Sequence, residues 1–396
     1  MNTALADVLA SVECSNDTII VTWSDSHRSV FPLRWLRYEC SCRECGDSQT
    51  GIRFVTPADV GKSLAVERCG ISATGDLELF WSRGNHYSSY QRTWLREHCL
   101  SESSRDARLH RPTVWGAELA SRVPRVSFVD FMNDDSQRCD AFEAIRDFGL
   151  VHVVDGPADV GVAEQLAKQV GPLEETNFGR VFDLQSTADA LSIGATRHAA
   201  SLHTDECYRN MPTGIKFIHC ISDSDSGTGY SLFADGFHIG ELLHQAAPAA
   251  FELLSVEPVT FHRRYEEAII VARAPIFSRA PSGHVVGFRF QDRSLAPLDV
   301  PCGDVDALLD AIDDLMKLIG DAQSQLRLRL APGESVLFDN HRLLHGRTGF
   351  TGHRHLQLCS VNRDTFISEM RVLQKNLNRE GPYLRLASGA SCAVNE

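Results

Sequence analysis

Three short stretches of this chain hold side chains of the kinds that bind metals. The first is Cys40-x-Cys42-x-x-Cys45. Three thiols this close can converge on one tetrahedral zinc ion, which needs a fourth nitrogen or sulfur ligand; a closed four-ligand site is structural, because catalytic zinc keeps a position open for water. His86, His98 and Cys99 are candidates for the fourth position, and spacing alone does not choose among them. The second stretch is SLHTDECY, where His203 and Asp205 form the one His-x-acid pair among 16 histidines. Positions i and i+2 of a strand point the same way, so this imidazole and carboxylate can grip one metal ion. The third is FDNHRLLHGRTGFTGHRHL, in which His345 follows an apolar strand and Arg354 comes nine residues later, with His341, His353 and His355 as rivals. Two histidines and a carboxylate on one face of a metal leave three positions open, the arrangement of non-haem iron oxygenases. An arginine on the next strand can form a two-point salt bridge to a dicarboxylic co-substrate.

The elements that must position these residues fall into two regions. Residues 1–105 contain an internal duplication: IIVTWSDSHRSVFPLRWLRYEC, ending at Cys40, reads again as LELFWSRGNHYSSYQRTWLREHC, ending at Cys99. His27 pairs with His86, Trp35 with Trp94 and Cys40 with Cys99 at one offset of 59, and Trp23 pairs with Trp81 at 58. Each copy reads as an apolar strand, a polar turn and a β-rich run closed by Trp-Leu-Arg. Two copies are too few for a solenoid, so the expectation is one small β-rich domain whose strand ends are tied by zinc. Residues 106–125 read as an exposed linker. Residues 126–396 read as one mixed domain. Strands are expected at 149–156, 215–222, 230–236, 284–290 and 334–340, and helices at 161–171, from Gly240 and from Asp304. The stripe Leu308, Leu309, Ile312, Leu315, Met316 and Ile319 is expected to be core. Many short strands with few helices suggest antiparallel sheet flanked by helices.

Composition narrows the classes. The chain has 396 residues, 39 basic against 52 acidic, and a net charge of −13, which argues against a nucleic-acid-coating role. No apolar run approaches the ~18–20 residues that span a bilayer, and no secretory signal is evident, so a cytoplasmic, non-membrane protein is expected. Twelve cysteines are too sparse for a secreted disulfide scaffold. No phosphate-cradling glycine-rich loop appears.

The order His203-x-Asp205, His345-Gly-Arg, Arg354-His-Leu resembles the Fe(II)- and 2-oxoglutarate-dependent oxygenases of the taurine dioxygenase superfamily. ETNFGRVFDLQS (175–186), HTDECYRNMPTGIKFIHCI (203–221), ADGF (234–237) and FDNHRLLHGR (338–347) are similar to the γ-butyrobetaine and trimethyllysine hydroxylases within it. The resemblance implies a mixed α+β, mainly β chain, with a double-stranded β-helix (jelly-roll) catalytic domain behind a small zinc-binding domain. It implies iron on His203, Asp205 and His345, 2-oxoglutarate with its far carboxylate on Arg354 near Ser231, and zinc on Cys40, Cys42, Cys45 and His86. Dioxygen as co-substrate, ascorbate as reductant and a homodimer are also implied.

For the substrate, the resemblance implies a betaine-like or trimethylammonium compound in an aromatic cage. Phe178 and Phe182 stand at two cage positions, while Ala195 and Ser360 stand where further aromatics belong. Gln291-Asp292 replaces an Asn pair that would meet a substrate carboxylate. Ser192 and Tyr208 complete the expected pocket, with Phe288 and Arg289 as possible rebuilders. The incomplete cage leaves an aminophosphonate, an amino acid or a natural-product intermediate as alternative substrates of the same oxygenase. A zinc-only hydrolase and a non-catalytic small-molecule adaptor are the readings from other classes.

Overall fold

The structure, a computed structural model, describes residues 8–185, 196–224, 227–379, 385–386 and 389–390. It divides into two compact units, residues 1–110 with 381–386, and residues 111–380 with 387–396.

The first unit repeats one motif. Strands Leu9–Cys14, Thr18–Trp23 and Arg28–Pro32 form an antiparallel meander that runs into helix Leu33–Tyr38. Strands Val66–Ile71, Leu77–Trp81 and Tyr87–Tyr90 form another, running into helix Arg92–Glu97. Alternate residues face inward, so Ile19, Val21 and Trp23 from one copy and Leu77, Leu79 and Trp81 from the other share one core. Trp35 and Trp94 stack with ring centroids 5.5 Å apart. The Trp-Leu-Arg segments are therefore helical, not the ends of β-rich runs. Leucine and arginine are good helix formers, and the last strand of each meander ends within one residue of its helix.

In the second unit a six-stranded sheet runs in the order Arg125–Ser127, Leu150–Val154, Ser335–Asp339, Ile215–Ser222, His355–Val361, Val181–Gln185. A four-stranded sheet runs in the order Ala200–His203, Leu343–Arg347, Ser231–Asp235, Gln325–Leu328. Among these described strands every pairing is antiparallel except Arg125–Ser127 with Leu150–Val154. One core joins the two sheets: Leu150, Ile218, Val336, Phe338 and Leu358 from the first meet Phe233, Leu326, Leu328 and Leu343 from the second. The outer face of the four-stranded sheet packs on helices Gly236–Ala246, Pro248–Val256 and Val305–Gly320. Helices Val162–Lys168 and Asp135–Phe148 pack on the six-stranded sheet.

Two expectations are corrected, and two helices come as additions. Residues 106–125 are no exposed linker: Trp115 and Leu119 are buried in the sheet core, and the Trp115 indole donates to Phe148 O at 2.6 Å. An aromatic anchor inside a Ser/Arg-rich stretch outweighs the stretch's average polarity. The division falls at 110/111, inside the connection expected at 106–125, and Arg385 bridges to Leu109 in the first unit. On helix Val305–Gly320, Leu309 and Met316 are about half exposed while Leu308, Ile312, Leu315 and Ile319 are buried, so the apolar stripe is narrower than the sequence suggested. Helices Asp135–Phe148 and Arg363–Asn376 were not expected; both are polar overall, but Asp134 and Asn362 cap their N-termini and Gly149, in the left-handed region, ends the first. No helix among the described residues is long and apolar enough to cross a membrane.

Candidate metal centres and active site

Register creates the centre in the second unit. His203, the last residue of its strand, lies directly opposite His345 across the ladder, and Phe233 flanks His345 on the other side. The imidazole centroids are 4.6 Å apart. Asp205 lies just beyond the strand, in a turn that three contacts fix. Its backbone N–H donates to Asn340 Oδ1 at 2.7 Å, Asn340 Nδ2 donates back to its carbonyl at 3.0 Å, and Thr204 N–H donates to Phe290 O at 2.8 Å. Glu206 then takes a left-handed φ of 54°, held by its ion pair with Arg209. Asp205 Oδ1 comes within 3.5 Å of His203 Nε2 and 3.6 Å of His345 Nε2. The ligand atoms of these three residues lie within 4.8 Å of one another.

Donor chemistry here fits a divalent metal. His203 Nδ1 meets Ser201 O at 2.8 Å, which assigns the proton to Nδ1 and leaves Nε2 free as a ligand. Burial pushes His345 down to about 3, so it stays neutral. Burial alone would push the Asp205 carboxyl up, but Lys216, His345 and His203 outweigh it and hold it well below the usual carboxylate range. The Lys216 ammonium is 3.0 Å from Asp205 Oδ2. The rival histidines have other partners: His341 contacts Pro212 O at 3.0 Å, and His355 contacts Asp183 at 2.6 Å.

Arg354 is buried, donates to Ser231 Oγ at 3.3 Å, and keeps an Nε with no partner among the described residues. A buried guanidinium with free donor capacity suits a carboxylate. Ser231 is two residues from Phe233 on the strand beside His345, so Arg354 meets that sheet roughly 7 Å along the strand from the His203 and His345 imidazoles. Arg347, cross-strand from Ser231, adds a second buried cation; burial, and then Arg354, push it down to about 10. Arg347 follows His345-Gly346 in the chain, and no local signal there marks it for a role.

The proposed pocket residues divide. Phe178 and Phe182 lie 5.9 Å apart centroid to centroid, and Tyr265, which sequence reasoning missed, meets Phe178 edge-on at 5.3 Å. Tyr208 joins them through a 3.1 Å contact of its hydroxyl with that of Tyr265. Lys216 Nζ sits 5.5 Å from the Phe182 ring centre, and Ser360 is the cross-strand partner of Lys216. Gln291 accepts from Ser294, and Asp292 accepts from Ser201 at 3.3 Å. Phe288 belongs to the core under the helices, and Arg289 donates to the carbonyls of Cys207, Arg209 and Asn210, so both serve the scaffold. Ser192 and Ala195 lie outside the described residues.

In the first unit, His86 Nε2 lies 3.3, 3.7 and 3.6 Å from the sulfurs of Cys40, Cys42 and Cys45. Zinc bonds of ~2.3 Å to sulfur and ~2.05 Å to nitrogen at a tetrahedral angle require edges of about 3.5 Å. His98 instead stacks on Trp94, and Cys99 contacts His27. This cluster and the His203–Asp205–His345 triad are the two places among the described residues where three or more His, Cys, Asp or Glu ligand atoms lie close enough to share a metal ion.

Residues 105–360 match the taurine catabolism dioxygenase TauD, TfdA family. The chain belongs to this family. Residues 11–73 also match the γ-butyrobetaine hydroxylase-like N-terminal family. A γ-butyrobetaine dioxygenase of Pseudomonas sp. is 33% identical over 94% of this chain and 97% of its own. The human γ-butyrobetaine dioxygenase is 28% identical over 90% and 94%. A trimethyllysine dioxygenase of Meyerozyma guilliermondii is 27% identical over 92% and 95%. The chain is thus a dioxygenase of the TauD, TfdA family, with mixed α/β content, and the hydrolase and adaptor readings are set aside.

Proposed function

We propose that this chain hydroxylates an unactivated C–H bond of a small betaine-like or trimethylammonium substrate. The observation that carries the reading is the convergence of His203, Asp205 and His345, beside a sheet whose Ser231 meets the buried Arg354. Support for the substrate comes from the γ-butyrobetaine dioxygenase relative that is 33% identical over nearly the whole chain. In this reading His203, Asp205 and His345 hold iron, which supplies the oxygen-activating chemistry when bound. Arg354 and Ser231 fix the far carboxylate of 2-oxoglutarate. Phe178, Phe182, Tyr208 and Tyr265 exclude water and orient the target C–H bond. Cys40, Cys42, Cys45 and His86 hold a structural zinc. The two packed sheets are read as a double-stranded β-helix and the first unit as a zinc-binding domain. The reading extends, on family resemblance, to a cytoplasmic homodimer.

A second reading, the same oxidation of an aminophosphonate, amino acid or natural-product intermediate, is favoured by Lys216. A trimethylammonium group gains from an aromatic face, but here a lysine ammonium already lies against Phe182, and like charges repel.

Anaerobic titration of Fe(II) and 2-oxoglutarate tests both readings. The expected result is a weak visible charge-transfer band that needs both components and shifts with one member of a panel of betaines, amino acids and aminophosphonates. A shift with betaines supports the first reading, and a shift with the others supports the second. No band from iron-loaded protein would overturn the oxygenase assignment of these residues.

A further inference from the structure

The first unit carries a second constellation that mirrors its four-ligand cluster. The offset of 59 that maps Cys40 onto Cys99 also maps Cys42 onto Ser101 and Cys45 onto Ser104, and in the other direction maps His86 onto His27. The mirrored residues meet in space. His27 Nε2 lies 3.2 Å from Cys99 Sγ, against 3.3 Å between His86 Nε2 and Cys40 Sγ. Ser101 Oγ is 3.3 Å from Cys99 Sγ, and Ser104 Oγ lies 2.9 Å from Ser101 Oγ. The surroundings repeat too: Trp23 donates to Ser29 at 2.8 Å, as Trp81 donates to Ser88 at 2.9 Å. Each constellation takes its histidine from one half of the duplication and its Cys-x-x-x-x-x run from the other. The two are related by an exchange of halves.

One donor marks what the second constellation has lost. Arg37 Nη1 donates to Cys45 Sγ at 3.1 Å. Its counterpart at the same offset, Arg96, donates through Nη2 to Asp25 at 2.6 Å, but its Nη1 is buried with no hydrogen-bond partner among the described residues. The arginine has been kept where the sulfur that would accept from it is a serine hydroxyl.

We propose that His27, Cys99, Ser101 and Ser104 form a latent second metal site, a tetrahedral cradle for zinc, cobalt(II) or cadmium in which two thiols have been exchanged for hydroxyls. A neutral hydroxyl is a poor ligand beside a thiolate, so one cysteine and one histidine remain, and hydrogen bonds do the work of the ion. His27, Ser29 and Ser101 surround the Cys99 sulfur; burial pushes its thiol up, but these contacts outweigh burial and bring it to about 6. Both half-sites thus set a sulfur against an imidazole, Cys40 against His86 and Cys99 against His27. The proposal rests on the zinc reading of the Cys40, Cys42, Cys45 and His86 cluster.

Metal stoichiometry of the full chain tests it, with cobalt(II) as the probe because its visible absorption reports tetrahedral thiolate ligation. Wild type is expected to bind one ion in the first unit, and S101C/S104C two. Adding His27→Ala to that pair should return the count to one. The same pair placed in a Cys42→Ser/Cys45→Ser background should bind one ion at the second position alone, so a wild type that binds none defeats the zinc reading without deciding the latent site. Ser104→Cys, at a half-buried position beside Ser101, is the milder variant and should take a weaker second ion at saturating cadmium. Folded S101C/S104C or Ser104→Cys with no ion beyond the wild-type count would overturn the proposal.

Discussion

Lys216 and Asp205 form an ion pair at 3.0 Å in which the lysine side chain is 3% exposed. The pair uses Asp205 Oδ2, while Oδ1 faces both imidazoles. The carboxylate therefore offers one oxygen to a metal and keeps the other on a fixed cation. Removing one partner of a buried pair costs roughly 3–5 kcal/mol when nothing replaces its charge. Lys216→Met should lower the Tm sharply in chelated protein. A divalent ion supplies the missing positive charge, so the fall should be much smaller at saturating Mn(II). Equal falls in the two conditions would show that Lys216 contributes packing alone.

Arg354→Met should raise the KM for 2-oxoglutarate about 10- to 100-fold, the worth of one charge-assisted contact of ~1.5–3 kcal/mol. The KM for the primary substrate should move far less. Steady-state kinetics with each varied in turn checks this, and parallel changes in both constants would remove the carboxylate-binding role.

Metal-free protein should lose stability in acid through His345. Its imidazole titrates near the ordinary 6.5 when unfolded but is pushed down to about 3 by burial in the folded chain. The folded state then binds fewer protons, so this contribution is complete above about 6.5 and is lost as pH falls toward about 3, at up to ~1.4 kcal/mol per pH unit. His152, His219 and His341 are pushed down by burial with the same sign. Denaturant melts of chelated His345→Gln between pH 7 and 4 should therefore show a shallower slope than wild type, but not a flat one. An unchanged slope would mean that His345 does not stay neutral.

Gly346 is the hinge point of the ligand register. A Cβ there would lie 2.6 Å from Ala200 O and 3.1 Å from Leu202 N, against the backbone that carries His203. Gly346→Ala should force the two strands apart and lower Mn(II) affinity at least tenfold by calorimetry, while the zinc content by elemental analysis stays at the wild-type value. Wild-type Mn(II) affinity would show that the ladder absorbs a methyl group.

Strands that flank the site could be read from the sequence where burial made them continuously apolar, whereas Ala200–His203 and Leu343–Arg347, which carry the imidazoles, could not. Residues 215–222 and 334–340 were expected as strands and correspond to Ile215–Ser222 and Ser335–Asp339. The polar helices escaped because their signal lies in caps such as Asp134 and Asn362, not in a wide apolar face. His203, Asp205 and His345 stood out because their residue types are rare at that spacing. Lys216 and Tyr265 did not, since nothing local distinguishes a lysine buried on Asp205 from one in water, and Tyr265 reaches Phe178 only through the tertiary fold. Asn340 lay inside a quoted motif, yet its work on the Asp205 backbone appears only when residues 135 apart in the chain are brought together.

The duplicated first unit is in effect a heterodimer written on one chain. Its sulfurs belong to the half that ends near residue 45 and its imidazole to the half that begins near residue 66, and the Trp35–Trp94 stack joins the same two halves. A protease cut in the exposed segment around residues 49–52 would sever the peptide without severing the ligand set. The fragments would stay together through the shared core and the Trp35–Trp94 stack, and a metal on the four ligands would add a tie that a chelator removes.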